Sequence, residues 1–143
     1  MKPFLLFLAL SGVAAALSPA SPYSAALDVP QSVHAGPVPI SVSFTNRTAT
    51  DVTLALPRDA RQSCVAAPHV RILQVGTREV VYPPAVTDRM CTMDMVHTVV
   101  RAGASVPLNR AVTLPTGQYL IEAWVPGVGG AAVRAPYRIV RVN

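Results

Sequence analysis

The densest chemistry in this chain sits in residues 90–97, Met-Cys-Thr-Met-Asp-Met-Val-His. If that segment is extended, Cys91, Met93, Met95 and His97 share one face, with successive β-carbons on it about 7 Å apart. Thioether, thiolate and imidazole are the soft donors that select Cu(I), so one reading is a copper-binding protein using Met93, Met95 and His97. The structural reading is the stronger. Methionine fills irregular apolar space, and with Cys91 taken up elsewhere His97 becomes a lone strand histidine. The only other cysteine is Cys64. In an oxidising compartment an even count pairs most simply as one disulfide, Cys64 with Cys91, whose loop closure would contribute about 3 to 4 kcal/mol. A free or metal-bound Cys91 is the alternative.

Catalytic sets are not evident. A serine nucleophile needs a base and an orienting carboxylate, often on a glycine-flanked elbow, and the sequence has no such elbow. His34, His69 and His97 do not stand at zinc-ligand spacing, and the carboxylates Asp28, Asp51, Asp59, Glu79, Asp88, Asp94 and Glu122 are dispersed. No glycine-rich loop suits a phosphate. The expectation is a non-enzymatic protein without a cofactor. Asn46-Arg47-Thr48 matches a glycosylation sequon but reads equally as a turn between strands, which suffices.

The start of the chain bears on the compartment. Lys2 precedes an apolar run from Phe4 to Leu17, followed by small residues, the order of a secretory signal peptide. Cleavage after Ala16 or Ala20 fits the small residues there. A retained anchor would need roughly 20 uninterrupted apolar residues, and Ser11 and Gly12 break this run. No cysteine follows it to carry a lipid. The expected plan is a signal peptide over residues 1–20, a flexible lead-in over 21–37, within which Ala26 to Val33 could add an edge strand, and a β-domain over 38–143. The product would be secreted or periplasmic, with no integral membrane span after cleavage.

About 125 residues then remain, enough for one domain with one core. The chain is 51% hydrophobic, only 13% charged, and holds 14 prolines, which suits a turn-rich all-β domain better than disorder or a helical bundle. Losing Lys2 leaves eleven arginines against seven acids, a net charge of +4. The arginines are scattered, which reads as ordinary solvation and gives no reason to expect nucleic acid. Arg134 and Arg138, on one face if the last segment is a single strand, are the nearest approach to a patch.

Period-two alternation marks the elements. Val38, Ile40, Val42 and Phe44 alternate with smaller or polar residues, then a polar turn over 46–51 leads to Val52, Leu54 and Leu56. Residues 69–75 and 78–82 flank Gly76-Thr77 as a hairpin. Residues 90–100 read as extended. Residues 106–114 and 118–125 flank Pro115-Thr116-Gly117 and read as a second hairpin, and residues 132–142 read as a closing strand that Pro136 puts at an edge. Seven or eight short strands at this spacing predict an antiparallel β-sandwich.

The segments PVPISVSFTNRTATDVTLALP (37–57), HVRILQVGTREVVY (69–82), TVVRAGASV (98–106) and LPTGQYLIEAWV (114–125) resemble the BsuPI-type intracellular proteinase inhibitor domain. The resemblance spans about 100 residues. It implies an immunoglobulin-like sandwich and a protein partner, a protease being the first candidate; a structural or adhesion module of the cell envelope is the alternative to an inhibitor. Two features depart from the family: the segment matching Val80-Val81-Tyr82 lacks the usual tryptophan, and a signal peptide with two cysteines points away from the cytoplasm. Tyr119, in the Pro-Thr-Gly-Gln-Tyr turn, is expected to make a tyrosine-corner hydrogen bond.

Overall fold

In residues 36–46 every even-numbered side chain from Val38 to Asn46 is buried, while the odd-numbered ones stay exposed or half-buried. That alternation follows from a strand's two-residue period and sets which face meets the core. The structure, a computed structural model, describes residues 20–128 and 130–143; the signal peptide expected over 1–20 lies outside them, Ala20 apart. The described residues form an all-β protein of eleven strands. They are β1 (Tyr23–Asp28), β2 (Ser32–Val33), β3 (Gly36–Asn46), β4 (Val52–Pro57), β5 (His69–Gln74), β6 (Val80–Tyr82), β7 (Met95–Val100), β8 (Ser105–Leu114), β9 (Gly117–Val128), β10 (Ala131–Arg134) and β11 (Arg138–Val142).

Three sheets result. One runs β1-β3-β8, a second runs β2-β11-β9-β5-β6 with β10 also on β9, and β4 pairs β7 as a two-stranded ribbon. Every pairing is antiparallel except the short β2-β11 contact. All three sheets feed one core: Ile40 and Phe44, Leu54 and Leu56, and Ile72, Ile121 and Val140 are essentially fully buried. Burying one such aliphatic or aromatic side chain is worth about 1.5 to 3 kcal/mol, so these positions dominate the folding energy. Among the described residues no helix is long and apolar enough to cross a membrane.

Asn46 is the corner post where β3 passes to β4 and β7 passes to β8. Its side chain is fully buried. Nδ2 donates to the carbonyls of Thr50, Val100 and Arg101 at 2.8, 3.1 and 3.3 Å, and Oδ1 accepts from the Thr48 amide at 3.0 Å and from its hydroxyl at 2.7 Å. The asparagine of the sequon is thus consumed in the turn itself.

The tertiary structure departs from the sequence expectation in four places. Residues 21–37 are not a loose lead-in: β1 pairs β3 from Tyr23↔Asn46 to Asp28↔Ser41, β2 pairs β11, and Leu27 and Val29 enter the core. Residues 105–114 and 117–128 do not form a hairpin. β8 pairs β3 and β9 pairs β5, so the Pro115-Thr116-Gly117 turn carries the chain from one sheet to another. Across that turn the Tyr119 hydroxyl donates to the Pro115 carbonyl at 3.0 Å, the tyrosine-corner bond. The closing segment divides at Ala135-Pro136-Tyr137 into β10 and β11, which lie end to end along β9. Arg134 consequently faces Trp124 and Arg138 faces Ile121, positions on opposite sides of the sheet, so the two arginines form no common patch. Finally, residues 90–94 are loop, and the strand begins only at Met95.

Candidate functional site

The chain before β7 is turned by a disulfide and by the hydrogen bonds of Arg58 and Asp94. Cys64 and Cys91 are joined by a disulfide across a sequence separation of 27, with their Cα atoms 5.5 Å apart. Arg58 Nε donates to both Asp94 carboxylate oxygens at 3.0 and 3.2 Å, and the Thr92 hydroxyl donates to Asp94 as well. Arg58 Nη1 also donates to the Cys64 carbonyl at 3.2 Å. Together these tie the loop after β4 to the loop before β7.

Electrostatics there are simple. The hydrogen bonds from Arg58 and Thr92 hold the Asp94 carboxyl down at about 2, so it is ionised throughout the ordinary range and Arg58 keeps its partner. Ser63 and Cys64 both have positive φ, 58° and 63°, a conformation that disfavours L-residues by about 1 to 2 kcal/mol each. The disulfide and the Arg58 bond hold the backbone in that turn.

A second network seats the loop on the sheets. The Gln62 amide copies a β-strand: Nε2 donates to the Val70 carbonyl at 3.0 Å and Oε1 accepts from the Val70 amide at 3.1 Å. This closes the edge of β5 beyond the end of β6 and leaves no open ladder there. Arg110, on the inward face of β8, donates to Gln62 Oε1 at 2.7 Å, to the Pro68 carbonyl at 3.1 Å and to the Tyr82 hydroxyl at 2.6 Å. Its guanidinium carbon lies 5.1 Å from the centre of the Tyr82 ring. One arginine thereby joins β8, the 58–68 loop and β6. The sequence does carry a signal for it: Val106, Leu108, Val112 and Leu114 are the other inward positions of β8, and a charge in that register needs buried partners.

The outcome is a rigid base under an exposed tip. Met93 is fully exposed, Met90 is 92% exposed and Val86 86% exposed. Beside them a shallow 380 Å³ cleft is lined by Pro57, Arg58, Cys91 and Asp94 among others. Of the residues placed on one face by the sequence, only Met95 and His97 share the outer side of β7, across from Pro57 and Ala55. Cys91 is in the disulfide and Met93 lies in the loop, because the bonds of Asp94 bend the chain away from the strand direction. Among the described residues no three His, Cys, Asp or Glu side chains gather as a metal-ligand group.

No family model and no curated protein matches this chain.

Proposed function

We propose that the chain is an exported, non-catalytic binding module of immunoglobulin-like sandwich design, and that it acts as a proteinase inhibitor of the BsuPI type. The observation that carries this reading is the tip formed by Met90 and Met93, exposed on the loop before β7, which a disulfide and an ion pair hold to the loop after β4. Large apolar side chains on a braced loop suit insertion into a partner's cleft, because little conformational freedom is lost when the complex forms. Support for the sandwich comes from the sheets: β1-β3-β8 and the larger sheet each turn alternate side chains into one core. The disulfide is consistent with a secreted or periplasmic location, where it would persist.

The test is a titration of secreted serine proteases, subtilisin-like ones included, against a chromogenic substrate. Stoichiometric inhibition is expected. Met90→Asp with Met93→Asp should abolish it, and Cys64→Ser with Cys91→Ser should weaken it by about tenfold, the cost of ordering one or two loop side chains on binding. Unslowed hydrolysis across the whole panel would reject the inhibitor role.

A further inference from the structure

A second surface lies on the side of the larger sheet that faces away from the core. Leu73, Leu120 and Ile139 stand directly opposite one another on β5, β9 and β11, forming a single apolar row across three strands. Their neighbours along the chain, Ile72, Ile121 and Val140, are the ones turned into the core. Among the described residues no other sheet covers the row: Leu73 and Leu120 are only half-buried there. Ile139 is 46% exposed and the adjoining Tyr137 59% exposed, and the surface dips there into a groove of about 550 Å³.

The charge around this groove is one-sided. Arg71 and Arg78 line it, and Arg141 lies next to Ile139 on the same face. Glu122 is the one acid in the lining, and Arg71 already holds it. Arg78 and Arg141 have no carboxylate partner among the described residues. A second copy of this chain docked face to face would set arginines against arginines, which like-charge repulsion opposes. At a strand spacing of about 4.8 Å the row is about 10 Å across, the room one extended segment and its side chains occupy.

We propose that this face binds an extended acidic segment of a protein partner, its apolar side chains lying on the Leu73-Leu120-Ile139 row and its carboxylates reaching Arg78 and Arg141. The groove shares no lining residue with the cleft beside Met93, so the proposal stands apart from the inhibitor reading.

The test uses the purified protein and three probes: a fluorescent peptide of alternating aspartate and leucine, the same peptide with lysine for aspartate, and phosphatidylglycerol vesicles. Anisotropy and amide chemical shifts are followed together. The aspartate peptide should bind, with shifts centred on Leu73, Leu120 and Ile139. Its affinity should drop about tenfold in Arg78→Glu with Arg141→Glu, and also when added salt shortens the screening length from about 10 Å to about 3 Å. The salt series on the unaltered protein stands even if the double variant folds poorly. Absence of binding, equal binding of the lysine peptide, shifts centred elsewhere, capture by vesicles alone, or dimerisation through this face would each overturn the proposal.

Discussion

Arg110 and Gln62 meet across 48 positions of sequence, Nη1 to Oε1 at 2.7 Å, and that same oxygen accepts the amide of Val70 at 3.1 Å. The charge of Arg110 thus reinforces a side-chain amide that is standing in for a strand. The loop bearing Cys64 is held to the sheets through this one oxygen and the bonds around it.

Arg110→Met, which keeps most of the bulk and removes the donors, should lower stability by about 2 to 3 kcal/mol in urea denaturation, the usual loss for charge-assisted hydrogen bonds. Gln62→Leu strands the Val70 amide and carbonyl and should lower it by about 1 to 3 kcal/mol. Because the two side chains share an oxygen, the double variant should lose less than the two single losses combined. Strict additivity would show that Arg110 and Gln62 act separately.

Gly117 is required by its neighbour. A β-carbon there would lie 2.9 Å from the Tyr119 hydroxyl oxygen and 3.1 Å from the ring carbon that bears it. Tyr119 is buried and bonded to Pro115, so the ring has little room to retreat. Gly117→Ala should destabilise by about 1 to 3 kcal/mol through overpacking. Tyr119→Phe should lose about 1 kcal/mol, the hydrogen bond alone. In the Tyr119→Phe background Gly117→Ala should cost less, because the closest clashing atom is gone; thermal unfolding of the four proteins measures this.

His69 makes stability depend on mild acid. It is buried edge-on against Trp124, with ring centres 6.0 Å apart, and its Nε2 has no hydrogen-bond partner. Burial pushes its pKa below the ordinary 6.5; Asp59 pulls it back up and Arg110 adds to the lowering. The unfolded chain therefore takes up this proton near pH 6.5 while the folded chain does not, so stability falls as pH drops from 6.5 toward the folded value. His69→Phe should flatten the change in urea midpoint between about pH 7.5 and pH 5. The Arg58–Asp94 pair acts in a lower window, since its contribution is present above 3.8 and lost only as pH falls toward about 2. An unchanged midpoint slope in His69→Phe would assign the acid sensitivity to another group.

The sequence by itself determined the all-β class and the facing of most strands. Alternation in 38–44 and 119–125 is a local property of an extended backbone, and the same side chains are buried in the fold. The hairpin around Gly76-Thr77 was legible as well: β5 and β6 pair, Ile72 with Tyr82 and Leu73 with Val80, although residues 75–79 and not two residues alone connect them. Partner choice between distant strands was decided only by the tertiary structure. The turn at Pro115-Thr116-Gly117 looks locally like a hairpin, but β8 gains more by pairing with β3 along ten register positions while β9 joins β5 on the other side of Tyr119. Residues 21–28 are rich in small side chains and read as a lead-in, but β3 has a free edge that they cover. Segment 90–94 follows strand periodicity in sequence, and yet the pull of Cys64 and Arg58, 27 and 36 residues from their partners, bends it into a loop. Long-range bonds carry no local pattern, so the exposed methionine tip and the Arg110 network that braces its base existed only once the chain had closed on itself.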